Sequence, residues 1–204
     1  MLIEINPDNP QDRLIQKVAA ELRKGKIIIY PTDSVYGLAC DILQPNAIDR
    51  ICRLRNLNPV KANLSMMFND ISQLAEYTKP INNQVFRLIK RNVPGPFTFI
   101  VNANNKVPKM FKNKKRTLGI RIPKNRIVQA LVTALGRPML SISLKQPDEI
   151  TEYLTDPYEI HEDYHKLVDL VIDGGAGSHE VSSILDCTGE EVEILRQGAG
   201  EIIW

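Results

Sequence analysis

Carboxylates are missing from the middle of this chain. Between Tyr77 and Pro147 there are 15 lysines and arginines and no aspartate or glutamate. From Asp148 to Trp204 the balance reverses, with 2 basic and 15 acidic side chains, while residues 1–76 carry 9 of each. The formal net charge of +2 therefore hides strong patterning. A central surface of mixed sign is excluded, and a positive field that collects phosphates is expected there. The acidic final third argues against a chain built throughout to coat nucleic acid. Packing of the two blocks against each other would neutralise both and is the competing reading.

Cysteine is scarce. Cys40, Cys52 and Cys187 are an odd number, far apart and without C-x-x-C spacing. That excludes a disulfide scaffold and reads as free thiols in a reducing, cytoplasmic setting. No apolar run approaches the roughly 18 residues of a membrane span. Residues Met1 to Asp8 lack the basic and apolar regions of a secretory signal. There is no G-x-x-x-x-G-K-[ST], so no Walker-type phosphate loop. What is present is ordinary globular composition, 43% hydrophobic and 25% charged over 204 residues. A chain of this size buries roughly 70% of its unfolded surface and folds without staples.

Periodicity alternates along the whole length. Short β-branched or apolar runs read as strands at Ile3–Ile5, Ile27–Tyr30, Leu64–Phe68, Phe97–Val101, Leu118–Ile122, Met139–Ser143, Val168–Ile172, Val181–Leu185 and Val192–Leu195. Helices are expected from Pro10-Gln11-Asp12 to a stop at Gly25, from an Asn46 cap to Arg55, from Asp70 to Tyr77, from Asn82 to Arg91, over Ile127–Leu135, and from Pro157. Residues 32–38 read as a turn, and 102–116 and 144–156 as loops. With no linker or repeat, one α/β domain over 1–204, around a central sheet, is expected.

Two motifs carry little weight. Gly174-Gly175-Ala176-Gly177 lacks dinucleotide-binding spacing and reads as a turn. His161-Glu162-Asp163-Tyr164-His165 matches H-E-x-x-H, with His179 available as a third ligand and Glu162 as general base. Its acidic neighbours and narrow apolar stripe fit a surface helix, and no metal site is expected there.

A different constellation suggests chemistry. Thr32-Asp33-Ser34-Val35-Tyr36-Gly37-Leu38 follows a buried strand, the place where ligands gather in open α/β sheets. Arg50, Arg53, Arg55 and Lys61 form a basic group. Arg53 and Arg55 reach one ligand only if their helix ends near Arg55. Lys112, Lys114, Lys115 and Arg116 precede Arg121, an arginine between Ile120 and Ile122 that needs an internal salt bridge, an outward orientation or an anionic ligand. Ser141 and Ser143 share one strand face, and Ser182-Ser183 adds hydroxyls near the C-terminus. No Cys/His or Ser/His pair has nucleophile spacing. Such residues describe a polar pocket for an anion, working by positioning and charge.

In order along the chain these segments resemble the YrdC-like family, the threonylcarbamoyl-AMP synthases. Pro31-Thr32-Asp33-Ser34-Val35-Tyr36-Gly37-Leu38 resembles its PTDTxYGL signature, and Arg53-Leu54-Arg55 lies where it has K-x-R. Pro94-Gly95-Pro96-Phe97-Thr98 resembles P-G-x-x-T, and Gly119-Ile120-Arg121-Ile122-Pro123 resembles G-x-R-x-P. Ser141-Ile142-Ser143-Leu144-Lys145 falls at S-x-S-x-N, and Val181-Ser182-Ser183-Ile184-Leu185-Asp186 at P-S-T-[IV]-x-D. The resemblance is strongest to the YciO branch. It implies a twisted, open, mixed sheet with flanking helices and a positively charged concave face. It implies ATP, L-threonine and bicarbonate as substrates, with Mg²⁺ on the triphosphate, and threonylcarbamoyl-AMP and pyrophosphate as products, for the N6-threonylcarbamoyladenosine modification of tRNA. By position, Ser34, Arg121 and Ser182 would hold threonine, and Arg53, Arg55, Ser141 and Ser143 would hold ATP. Arg55 and Arg121 would be catalytic. Three positions depart from the pattern: Arg53 replaces Lys, Lys145 replaces Asn and Val181 replaces Pro. Arginine keeps charge but not geometry, and lysine removes an acceptor. Longer relatives are expected to add a second domain. A non-catalytic reading also stands, in which the 77–147 block binds double-stranded RNA or tRNA through phosphates.

Overall fold

Helices start where a side chain or a proline meets the unpaired N–H groups of the first turn. The computed structural model describes residues 1–58, 64–107, 116–144 and 153–204. Helix α1 spans Asp12–Arg23 and ends ahead of Gly25, whose φ of +83° suits a residue without a Cβ. Helix α2 spans Pro45–Leu54. Asn46, the cap expected from sequence, lies inside the helix instead. Pro45 takes the first position, where its missing N–H costs nothing. Helix α3 (Asn83–Asn92) is capped by Asn82 Oδ1, which accepts from Val85 N at 2.8 Å. Helix α4 (Arg126–Leu135) is capped by Asn125 and stopped by Gly136 at φ +77°. Helix α5 (Pro157–Tyr164) is capped by Asp156. The helix expected after Asp70 is a 3-10 helix over Ile71–Glu76.

The strands are β1 (Leu2–Glu4), β2 (Ile28–Tyr30), β3 (Gly37–Asp41), β4 (Ser65–Met67), β5 (Phe97–Asn102), β6 (Thr117–Arg121), β7 (Met139–Ser143), β8 (Leu170–Asp173), β9 (Ser183–Asp186) and β10 (Glu193–Arg196). They form one mixed ten-stranded sheet in the order β1-β8-β2-β3-β7-β4-β6-β5-β9-β10. The open α/β architecture with flanking helices is the expected one. Strand β3 is a correction: Gly37 and Leu38 fall in the expected turn, and no element is expected over Ala39–Asp41. It is nevertheless held between β2 and β7 by antiparallel ladders on both sides.

Each face has its own core. On one side Ala47, Ile48 and Ile51 of α2, Val85 and Ile89 of α3, and Ile160 of α5 pack on Leu38, Phe99, Ile120 and Leu140. On the other, Val18 and Leu22 of α1 and Leu131 and Val132 of α4 pack on Ile28, Tyr30, Ala39 and Met139. Among the described residues no helix packs on this second face beyond Met139 of β7 and Met67 of β4. All three cysteines are buried and free. Burial pushes the Cys187 thiol up to about 12 and that of Cys40 up as well, so neither is a nucleophile near neutral pH. No described helix is long and apolar enough to cross a membrane.

Candidate functional site

The open half of the sheet is the floor of a cavity of about 510 Å³. Period-two alternation puts Ser141 and Ser143 of β7, Ser65 of β4, Thr117, Gly119 and Arg121 of β6, and Thr98 of β5 on one face, with Ser182 just before β9. The register is continuous: Ser141 lies opposite Ser65, and Ser65 opposite Gly119. A Cβ at Gly119 would stand 2.8 Å from Ser65 Oγ, so the glycine keeps the centre of the floor low. Arg55, at the C-terminal end of α2, and Tyr153, Leu195 and Arg196 supply the walls.

Arg121 is the buried cation of this floor. Its Nη2 donates to Asp33 Oδ1 at 2.7 Å and to Ser34 Oγ at 3.1 Å. The ion pair is nearly sealed, with side chains 6% and 8% exposed. Asp33 Oδ2 also accepts from Lys124 N at 2.7 Å, so both carboxylate oxygens are occupied. Arg121 Nε is buried without a hydrogen-bond partner among the described residues. The internal salt bridge thus leaves one donor of Arg121 unsatisfied. An orphaned N–H beside a polar cavity marks where an acceptor belongs.

Arg196 donates through Nη2 and Nε to Ser182 O at 2.7 and 3.0 Å, and Ser182 Oγ stands 3.0 Å from Thr98 Oγ1. Burial lowers the guanidinium pKa of Arg196 and of Arg55. Arginine does not give up its proton, so the shift measures the cost of holding desolvated cations, which an anion would relieve. No carboxylate is among the described lining residues.

Of the residues singled out in the sequence, Arg55, Arg121, Ser141, Ser143 and Ser182 meet in this cavity. Ser34 does not line it. It is 1% exposed and sits behind Arg121, with Thr32 Oγ1 3.1 Å away. Arg53 is exposed on the last turn of α2 and is not among the lining residues, because its direction around the helix differs from that of Arg55. Lys61, Lys112, Lys114, Lys115 and Lys145 lie outside the described residues. Sequence reasoning missed Arg196, Tyr153, Ser65 and Thr117. Arg196 could have been found, since it is one of only two basic residues after Asp148.

Among the described residues the central basic block supplies one of the cavity's cations, Arg121. The three lining arginines come one from each third of the chain. Elsewhere in the block Arg137 pairs with Asp41 at 2.5 Å, and Arg91 and Arg126 donate to the carbonyls of Trp204 and Asp8. Among the described residues the neutralising partners of Arg121 and Arg137 come from the first third, not the acidic last third. The H-E-x-x-H histidines lie on and just after α5 with ring centroids 5.6 Å apart. No group of three or more His, Cys, Asp or Glu among the described residues is placed to hold a metal ion. Gly175, at φ +91°, makes the turn expected of the glycine cluster, and its carbonyl accepts from Tyr36 Oη at 2.7 Å.

Residues 20–198 match the Sua5, YciO and YrdC family model, described as "Telomere recombination". The Escherichia coli K12 protein YciO, itself uncharacterized, is 44% identical over 97% of this chain and 95% of its own. Its crystal structure superposes with a TM-score of 0.92, over 98% of this chain and 97% of that one at 42% identity. A threonylcarbamoyl-AMP synthase of Halorhodospira halophila is 31% identical over 63% of this chain and 67% of its own. The crystal structure of Pyrococcus abyssi Sua5 complexed with L-threonine superposes with a TM-score of 0.86 at 25% identity, over 97% of this chain and 57% of that one. This chain belongs to the Sua5/YciO/YrdC family, which includes threonylcarbamoyl-AMP synthases.

Proposed function

We propose that this protein makes L-threonylcarbamoyl-AMP from L-threonine, bicarbonate and ATP, releasing pyrophosphate, as a step toward N6-threonylcarbamoyladenosine in tRNA. The observation that carries this reading is the convergence of Arg55, Arg121, Arg196, Ser141, Ser143 and Ser182 in one cavity without a described carboxylate. Threonine amine and bicarbonate condense to a carbamate with loss of water. A carbamate oxygen then attacks the α-phosphorus of ATP, the bond to the β-phosphate oxygen breaks, and pyrophosphate leaves. Catalysis of this kind rests on in-line positioning and on neutralising developing charge, which buried guanidinium groups and hydroxyls provide. Arg121, which lines the cavity and whose Nε has no described partner, suits the threonine carboxylate, and Arg55 and Arg196 suit phosphates. Mg²⁺ would arrive on the triphosphate, held by phosphate oxygens and water, since the described lining offers it hydroxyls but no carboxylate.

The test is pyrophosphate release with ATP, Mg²⁺, bicarbonate and L-threonine. Release that requires both threonine and bicarbonate is expected, and none above background would overturn the proposal. Arg55 and Arg53 separate the cavity from its surroundings. Arg55→Ala is expected to weaken ATP binding by about tenfold or more, and Arg53→Ala by less than about threefold, read by calorimetry. The RNA reading draws less support, because Arg121 and Arg137 of its basic block are tied up in ion pairs. It would be revived by tRNA binding that falls steeply with salt in a protein giving no pyrophosphate.

A further inference from the structure

Beside the cavity floor, on the same face of the sheet, lies a tyrosine that is closed off from it. Tyr30, the last residue of β2, is fully buried, and its Oη lies 2.7 Å from Ser141 Oγ. Gly37 makes this approach possible. A Cβ at that position would stand 2.9 Å from Tyr30 Cε1 and 3.2 Å from Ser141 Oγ. Three strands thus cooperate, β2 giving the phenol, β3 the gap and β7 the serine.

The proton in this bridge has one low-cost place. If Ser141 donated to Tyr30, the phenolic O–H would be left buried with no acceptor, because Ser141 is its only hydrogen-bond partner among the described residues. An orphaned buried donor costs about 1–3 kcal/mol. With Tyr30 donating instead, the Ser141 O–H turns to the cavity that Ser141 lines. Desolvation raises the Tyr30 phenol to about 12, so it remains a donor through the neutral range. The nearby Arg121 Nε–H, unpartnered on the same face of the sheet, asks for the same kind of atom.

We propose that Tyr30 is a positioning residue that fixes Ser141 as a hydrogen-bond donor to the cavity, so that the ligand atom held there is an acceptor oxygen, a carboxylate or phosphate oxygen, and not a hydroxyl or amine donor. This deepens the proposed function and rests on it for the identity of the ligand. The direction of the Tyr30–Ser141 bond does not depend on that identity.

A four-protein cycle tests both parts: wild type, Tyr30→Phe, Ser141→Ala and the double variant. The first readout is the melting temperature without ligand. Ser141→Ala strands the phenolic donor and is expected to lower Tm by about 5 °C when Tyr30 is intact and by much less when it is combined with Tyr30→Phe. Equal losses in both backgrounds would overturn the assigned direction. The second readout is calorimetric binding, with L-threonine as the carboxylate probe and inorganic pyrophosphate as the phosphate probe. Tyr30→Phe is expected to weaken one of the two by about threefold to tenfold, with no further loss once Ser141 is alanine. The probe affected identifies the oxygen. Unchanged affinity for a probe that loses affinity in Ser141→Ala would overturn the positioning role. Wild-type protein that binds neither probe would sink the proposed function, and the melting cycle would then decide the Tyr30–Ser141 assignment by itself.

Discussion

One face of the sheet carries two different surfaces. Under α1 and α4 it is built of Ile28, Tyr30, Ala39 and Met139, all fully buried. Farther along, the same face presents Ser65, Thr98, Gly119, Ser141 and Ser143 to an open cavity. Strand β7 crosses the boundary, with Met139 in the core beneath α4 and Ser141 and Ser143, two and four residues on, in the cavity. Strand β4 is less sharply divided: Met67 belongs to the same core and also lines the cavity, as Ser65 does. The backbone ladder continues across the divide unchanged. What differs is the covering helix. Where one lies, apolar side chains supply stability. Where none is described, small hydroxyls and arginines leave a desolvated hollow whose polar groups still want partners.

The largest effect should come from the buried ion pair of the open half. Arg121→Ala removes the proposed threonine ligand and leaves Asp33 buried with only the Lys124 N–H and no counter-charge. Breaking such a pair typically costs about 3–5 kcal/mol. Pyrophosphate release should fall by about a hundredfold or more and the melting temperature should drop. Adding Asp33→Asn should recover part of the stability and none of the activity, a separation visible by comparing melts with rates.

A matched pair of substitutions across the boundary sharpens the contrast. Leu131→Ala, in the core under α4, is expected to cost about 2–5 kcal/mol in denaturant unfolding while leaving ligand affinity within about twofold. Ser143→Ala should do the reverse, costing less than about 0.5 kcal/mol of stability and weakening ATP binding severalfold. If both changes moved both quantities equally, the division of this face into core and site would be wrong.

Much of this division can be read in the sequence. Apolar runs locate most strands, because a fully buried strand needs no polar alternation. Strand β7, whose bounds match the expectation at both ends, shows its change of surface within five letters, Met-Leu-Ser-Ile-Ser. The hydroxyl pairs and Arg121 point to a polar hollow before any coordinates. Other features depend on three-dimensional neighbours. Strand β3 exists because β2 and β7 flank it, whatever the propensity of Gly37 or Asp41. Ser34 lies in a telling motif yet ends up behind Arg121, which no linear pattern reveals. The charge blocks do not reveal the pairing for the same reason: side chains find partners by proximity in space, and among the described residues Arg121 and Arg137 find theirs in the first third.

The smallest expected effect concerns a carboxylate in the covered half. Asp169, just before β8, accepts from Ile27 N at 2.9 Å, from Arg50 Nη1 at 2.7 Å and from Lys26 Nζ at 3.3 Å. Burial alone would raise its pKa, but the Ile27 N–H and the Arg50 guanidinium outweigh it and hold the carboxyl below its ordinary value. A folded-state pKa below the unfolded one means that Asp169 contributes stability above the unfolded value, near 4, and loses it as pH falls through the folded value. Because the pairs are partly exposed, the contribution should be small, about 3 °C of Tm or less. Melts recorded between pH 7 and pH 3 should therefore fall less steeply for Asp169→Asn than for the wild type. At neutral pH the same variant should bind ATP as the wild type does, because Asp169 secures the start of β2 and the face of α2 and is not among the residues lining the cavity. A loss of ATP affinity in Asp169→Asn would show that the covered half transmits strain to the open one, and that the boundary along β7 divides residue types without dividing the mechanics of the sheet.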